Sequence, residues 1–145
     1  MEEEMENIIE KWQLREDWIY NEVEEATVGG HIMSEYALVL FRDMTRAYCA
    51  GAWISVVIIS VSIIDAHLRE DIMDEKTKTA ELLRDNYEGE NIDWLRKLRN
   101  KYVHHDINNP ILDQESYEMR QNELEQDATN ALKMVINALF QNPFV

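Results

Sequence analysis

Apolar side chains recur at helical spacing along most of this chain. Within residues 5–26 they stand three, four or seven positions apart, with glutamates between them, as Ile8, Trp12, Ile19, Val23 and Ala26. This spacing gives a helix one apolar face. We predict an amphipathic helix over residues 5–26, which the glycine pair at 29–30 ends. A second helix is predicted over residues 34–48, with Ser34 as its N-cap.

An uncharged apolar run of 18 residues, 47–64, contains the small residues 49–51, where we predict a bend. Its length reaches the lower bound of about 18 residues for a membrane span. However, a glycine, a tyrosine and three serines interrupt it, and charged residues flank it closely. Its β-branched residues would also suit a buried strand, but the stretch is long and continues with helical spacing. We predict a central buried helix over residues 52–71 and no membrane span.

The second half of the chain carries three further helical patterns. A short helix is predicted over residues 77–87, a helix capped by Asn91 over 92–105, and a last helix over 115–141. The sequence NNP at 108–110 predicts a loop between the last two. The last helix has a regular apolar seam, formed by Leu124, Ala128, Ala131, Val135 and Leu139. The fold class is therefore all-α, a bundle of five to six helices, with residues 1–145 forming one domain.

Composition narrows the class of protein. Four glycines and two prolines in 145 residues suit long helices, and a single cysteine, Cys49, excludes an internal disulfide and fits the cytoplasm. The acidic start MEEEMEN differs from the basic start of a signal peptide. A formal net charge of -15 opposes sequence-blind attraction to nucleic acid. Any phosphate-binding site must therefore be local.

One local cationic segment exists, and it lies on the helix predicted over 92–105. Four of the chain's fourteen lysines and arginines fall within six positions there, as Arg96, Lys97, Arg99 and Lys101. The core face of this helix is predicted to consist of Trp94, Leu95, Leu98 and Tyr102. Asn100 and His104 are four positions apart and are predicted to stack on another face, with Arg99 between the two faces.

These residue types suit phosphate-ester chemistry. A neutral imidazole such as His104 can accept a proton from a ribose 2′-hydroxyl, and imidazolium can return one to a leaving oxygen. The Arg99 guanidinium can hold phosphate oxygens and stabilise charge in the transition state, and Asn100 can orient either group. Such a reaction needs no metal or cofactor. Spacing alone equally allows a solvent-facing basic helix end, where histidines favour the helix dipole.

Other sites are less well supported by the sequence. His104, His105 and Asp106 are adjacent and point in different directions, so they do not readily chelate one metal ion. The glycines fit no phosphate-binding loop, and Cys49 is expected to be a buried structural thiol. Trp94 is expected to pack in the core, with stacking on a nucleobase as the alternative.

The segment LRKLRNKYVHHD resembles the signature of the HEPN superfamily, Arg-x4-6-His near the end of a late helix. Arg99, Asn100 and His104 match it with the four-residue spacing. The upstream segment AYCAGAWISVVIISVSIIDAHLRE is similar to the family's helix pair, with Asp65 at the matching acidic position. The resemblance covers roughly residues 34–140 and implies a helical bundle that dimerises through the motif helix.

The resemblance implies a metal-independent endoribonuclease whose site forms across the homodimer, with Arg99, Asn100 and His104 as catalytic residues. Further substrate contacts would come from Arg96, Lys101 and His105. Many family members are toxins of toxin–antitoxin or phage-defence systems, so RNA, a second copy and an antitoxin protein are the expected partners. Other members lack activity and serve as RNA-binding or protein-interaction modules, which is the alternative function. A third possible role is that of a purely structural helical bundle.

The sequence departs from one subgroup of the family. Toxins paired with a nucleotidyltransferase antitoxin carry Arg-x4-His-x-Tyr, and that antitoxin modifies the tyrosine. Here Asp106 occupies the tyrosine position, and Tyr102 lies inside the motif. The resemblance therefore does not imply that partnership. A carboxylate at 106 could orient a histidine or repel phosphate.

Overall fold

The structure is a computed structural model that describes residues 1–27 and 34–141. The described residues form seven α-helices, where the sequence predicts five or six. In chain order these are α1 (Glu2–Ala26), α2 (Glu35–Ala50), α3 (Trp53–Ile72), α4 (Thr79–Asn86), α5 (Ile92–Val103), α6 (Gln114–Met119) and α7 (Gln121–Phe140).

Helix α3 is the centre of the bundle, as predicted. It contacts α2, α4, α5 and α7, while α1 packs on α2 and α7. Nine of its residues, from Trp53 to Leu68, are buried, whereas Ser55 and Ser62 are exposed. The hydroxyl of the buried Ser60 donates to the carbonyl oxygen of Val57 at 2.6 Å, so its polar group is satisfied. Across residues 1–27 and 34–141, no helix is both long and apolar enough to cross a membrane.

The predicted N-cap of α2 and the bend after it are confirmed, although the helix runs to Ala50, two residues past its predicted end. The Ser34 hydroxyl accepts a hydrogen bond from the Ala37 N–H at 2.9 Å and caps the helix start. Gly51 ends the helix with φ of 78°, a left-handed conformation that glycine adopts without steric cost. The chain then reverses into α3. Cys49 lies buried at this corner, as predicted, and burial raises the pKa of its thiol.

Helix α1 is longer than predicted, and only part of it packs on the bundle. Ile19 is buried, and Trp12, Val23 and Ala26 are partly buried against the core. Ile8, on the same predicted face, is 65% exposed. The glycine pair predicted to end this helix lies outside the described residues.

The predicted C-terminal helix is two helices, and this accounts for the extra element. Asp113 and Ser116 form a reciprocal capping box that starts α6: the Asp113 carboxylate accepts from the Ser116 N–H, and the Ser116 hydroxyl accepts from the Asp113 N–H. The chain leaves helical geometry at Arg120, and α7 begins at the next residue. The five residues of the predicted seam, Leu124 to Leu139, are all buried in α7.

The short helix predicted over 77–87 is α4, which packs on α3 and α5. The predicted loop at 108–110 is confirmed, since the chain is non-helical from His104 to Asp113. The predicted cap at Asn91 is wrong in its chemistry. Asn91 stands at the N-cap position of α5 but has φ of 67°, and its side chain makes no capping hydrogen bond.

Candidate functional site

Helix α5 positions the candidate residues, because its apolar side fixes which way the others point. Leu95 is fully buried, and Leu98 and Tyr102 pack partly buried against the core, as predicted. Burial raises the pKa of the Tyr102 hydroxyl. Trp94, the fourth predicted core residue, is instead 37% exposed. The core face is therefore narrower than the helical wheel suggests, and Trp94 belongs to the surface.

Arg99 lies beside the core face and lines a cavity of about 200 Å³ between helices α2, α3, α4 and α5. The other lining residues are Tyr36, Val61, Ser62, Asp65, Ala66 and Thr79. The Nε of Arg99 is buried and has no hydrogen-bond partner among the described residues. A wider groove of about 820 Å³ shares Tyr36, Asp65 and Ala66 with this cavity.

Asp65 lines the same cavity as Arg99, but its carboxylate is already hydrogen-bonded to other side chains. Arg69 binds it through two bonds, Nη2 to Oδ1 at 2.9 Å and Nε to Oδ2 at 3.0 Å. The Thr79 hydroxyl donates to Oδ1 at 2.8 Å and so ties the start of α4 to α3. The bidentate pairing with Asp65 raises the pKa of the Arg69 guanidinium. The acidic position singled out in the sequence therefore holds α3 and α4 together beside Arg99.

His104 does not lie on the helix that the sequence predicted for it. Helix α5 ends at Val103, and His104 is its C-cap with φ of -117° and ψ of 100°. Its backbone N–H donates to the Asn100 carbonyl at 2.9 Å. The helix predicted over residues 92–105 therefore ends two residues earlier, and the His104 N–H closes its last turn on Asn100.

The histidines and Lys101 share one cavity of about 330 Å³ at the C-terminal end of α5. It is lined by Lys101, His104, His105, Asp106, Asn109, Pro110 and Ile111. Lys101 and both histidines are exposed. The structure thus brings together His104, His105 and Lys101. It does not bring Arg99 of the same chain into this cavity.

Asp106 has a local structural contact. Its carboxylate accepts from the Asn108 N–H at 3.1 Å, and its carbonyl accepts from the Asn109 N–H at 3.2 Å. These bonds close the turn that follows the histidines. Asp106 therefore shapes the wall of the histidine cavity through an Asx turn.

The four cations of α5 take part in none of the ion pairs found among residues 1–27 and 34–141. Arg96 and Arg99 stand one turn apart, and each has a buried Nε without a partner in that part of the chain. Lys97 and Lys101 are exposed. In a protein with a net charge of -15, this helix keeps positive groups that internal carboxylates do not neutralise.

The described residues contain no group of three or more His, Cys, Asp or Glu side chains placed to hold a metal ion. No protein-family model, curated protein or solved structure matches this chain.

Proposed function

We propose that the protein is a metal-independent endoribonuclease of HEPN type, whose site forms between two copies of the chain. The observation that carries the proposal is the open cavity at the end of α5, where His104 and His105 lie with Lys101. Next to it on the same helix are Arg96 and Arg99, which form no ion pair within residues 1–27 and 34–141. An acid–base group and phosphate-binding groups are thus concentrated at one end of one helix.

The proposed reaction is transfer of the phosphodiester to the neighbouring ribose 2′-oxygen. His104 accepts the proton of the 2′-hydroxyl as the 2′-oxygen forms a bond to phosphorus. The bond from phosphorus to the 5′-oxygen breaks, and an imidazolium gives a proton to that leaving oxygen. Arg99 stabilises the charge on the phosphate oxygens, and Asn100 orients the reacting groups. Arg96, Lys101 and His105 contact the substrate outside the reacting bond.

The separation of Arg99 from His104 within one chain favours a site shared by two subunits. Arg99 opens on the cavity beside Asp65, whereas His104 lines the cavity at the helix end. Arg99 and His104 are five positions apart, which corresponds to about 7.5 Å along a helix. A second copy in the arrangement that the resemblance implies would supply the missing groups to each cavity.

The test is cleavage of single-stranded RNA by purified protein in the presence of EDTA. We expect the wild type to cut, and Arg99→Ala or His104→Ala to lower the rate by about 100-fold or more. Arg84→Ala is the matched control, because Arg84 is an exposed helical arginine that lies 3.7 Å from its neighbour Asp85. Cleavage that survives both α5 substitutions would end the proposal.

A second candidate function is a non-catalytic dimeric module that binds RNA or a protein such as an antitoxin. The observation in its favour is the position of Arg99, which is half-buried beside Asp65 and Thr79 as a structural arginine would be. In this case wild-type protein leaves RNA intact. Sedimentation would then show a dimer that Arg99→Ala dissociates and Arg84→Ala does not.

A further inference from the structure

Trp94 lies in a separate cavity, on the side of α5 that faces α7. This cavity has a volume of about 460 Å³ and is lined by Asn91, Trp94, Asn130, Lys133 and Met134. Trp94 is 37% exposed although it belongs to an amphipathic helix with a well-packed apolar side. Its exposure and its polar neighbours, two amides and a lysine, distinguish Trp94 from a core residue that lies at the edge of the bundle.

The two amides beside Trp94 have hydrogen-bonding groups to offer. Asn91 does not cap α5, although it stands at the N-cap position. Asn130 accepts a bond from the Gln126 amide through its Oδ1 at 3.3 Å, which leaves the N–H groups of Asn130 as donors. Amide groups that can both donate and accept match the edges of nucleobases, which carry donors and acceptors side by side.

Cations lead from this cavity toward the histidines. Lys97 and Lys101 stand three and seven positions after Trp94, so the three residues share one face of α5. Both lysines are exposed, and Lys101 also lines the histidine cavity. Lys133 lies across the Trp94 cavity on α7, with its Nζ 6.0 Å from the centre of the Trp18 ring. Trp94 and His104 are ten positions apart, about 15 Å along a helix.

We propose that Trp94, with Asn91, Asn130 and Lys133, forms a nucleobase-stacking subsite for single-stranded RNA. The base lies on the indole, the amides contact its edge, and Lys133 contacts the phosphate of that nucleotide. Lys97 and Lys101 hold the phosphates that connect it to the histidine cavity. Stacking on an aromatic ring is available to every base, so this subsite favours single strands over duplexes and tolerates sequence. The orientation of the bound RNA toward His104 rests on the proposed function. The subsite itself is a binding site and does not depend on cleavage.

The experiment measures RNA binding apart from cleavage. Fluorescently labelled single-stranded RNA is titrated with the His104→Ala variant in EDTA, and binding is followed by anisotropy. Adding Trp94→Ala should weaken binding by about tenfold or more, while Trp94→Phe retains most of it. Tyr20→Ala is the matched control, because Tyr20 is an aromatic residue on α1 that is 63% exposed. Circular dichroism verifies that each variant folds.

Salt dependence identifies the cation at the subsite. Lys133→Ala should reduce the slope of log affinity against log salt by about 0.7, the value for one phosphate contact on a single strand. Lys11→Ala, a substitution of an exposed lysine on α1, should leave the slope unchanged. An unchanged slope in Lys133→Ala would remove that residue from the subsite.

The outcomes separate this inference from the proposed function. If wild type does not cut RNA but Trp94→Ala loses binding, the subsite stands and the ribonuclease falls. If wild type cuts RNA and Trp94→Ala binds as its parent does, the subsite alone falls. The subsite is overturned if Tyr20→Ala weakens RNA binding as much as Trp94→Ala does. It is also overturned if the His104→Ala variant alone binds no RNA. Dissociation of a dimer by Trp94→Ala in sedimentation also overturns it, because Trp94 would then contact protein.

Discussion

Asp74 organises the turn between α3 and α4. Its carboxylate accepts hydrogen bonds from the Thr77 hydroxyl and from the backbone N–H groups of Lys76 and Thr77. These bonds, led by that of the Thr77 hydroxyl, lower the pKa of Asp74 from 3.8 to about 2. The folded state therefore favours the ionised carboxylate, and the unfolded chain loses that preference.

This pKa shift predicts a specific dependence of stability on pH. Because the folded pKa is depressed, the stabilisation is fully present above the unfolded pKa of 3.8 and is lost as pH falls toward about 2. Asp74→Asn should be less stable than wild type at neutral pH, and the difference should vanish within that acidic window. Urea unfolding followed by circular dichroism at a series of pH values measures it. Asp85→Asn, on an exposed carboxylate of α4, is the control. Parallel pH profiles for wild type and Asp74→Asn would contradict the prediction.

Single residues show where local sequence signals were sufficient. Ser34 and Asn91 were both predicted as caps, and both stand at N-cap positions. Ser34 has an extended backbone that brings its hydroxyl to the Ala37 N–H. Asn91 has a left-handed backbone, which asparagine also tolerates, and its side chain does not cap. The residue type gave the position of the helix start but not the backbone conformation that decides the hydrogen bond.

The candidate site shows the same limit for side chains that meet through tertiary structure. The sequence predicted catalytic residues near the end of α5 with Lys101 and His105 among the outer contacts, and His104 lines one cavity with those two in the structure. It did not predict that Arg99 opens on a cavity beside Asp65, because that contact depends on how α3 and α5 pack. It also placed His104 on the helix. The last core-facing side chain of α5 is Tyr102, so no apolar contact holds a further helical turn.

At the scale of elements, α1 carries one apolar face with two different environments. Ile8 and Ile19 both belong to the predicted face, but Ile8 is 65% exposed and Ile19 is 3% exposed. All residues from Glu2 to Lys11 are exposed. The first turns of α1 therefore receive little from tertiary packing, which supplies most helical stability in proteins.

This contrast predicts unequal costs for the same substitution in one helix. Ile19→Ala should lower the free energy of unfolding by about 2–5 kcal/mol, because it leaves a cavity in the core. Ile8→Ala should change it by no more than about 0.5 kcal/mol, as surface substitutions do. The two variants share their change in helix propensity, so burial is the variable. Urea unfolding gives both values, and similar costs would contradict the exposure of Ile8.

Helix boundaries were predicted well where a residue with special geometry marks them, and poorly elsewhere. Gly51 separates α2 from α3, and the sequence predicted that bend. Arg120 separates α6 from α7 without any glycine or proline, and the sequence predicted one continuous helix. The missed signal was the apolar seam. The seam starts only at Leu124. Helix α6 contains no buried residue, so no core contact holds α6 in line with α7.

At the scale of the whole molecule, charge is unevenly distributed. The chain carries 29 acidic against 14 basic side chains, yet four of the basic ones fall on α5. Five glutamates fall within the first ten residues, all exposed on α1. Repulsion among the many surface carboxylates opposes the compact state, whereas the cations of α5 attract phosphate.

Salt should therefore act in opposite directions on folding and on RNA binding. Added NaCl screens the repulsion over a Debye length that shrinks from about 30 Å at 0.01 M to about 10 Å at 0.1 M, so the melting temperature should rise. RNA affinity should fall over the same range, because binding releases counterions from the RNA.

A variant with Glu2, Glu3, Glu4 and Glu6 replaced by glutamine should show a smaller rise in melting temperature. Its RNA affinity should depend on salt as steeply as that of wild type, because α1 lies outside the proposed site. Thermal melts and anisotropy titrations in the same buffers measure both effects. A melting temperature that falls with NaCl would show that attractive ion pairs outweigh the net charge.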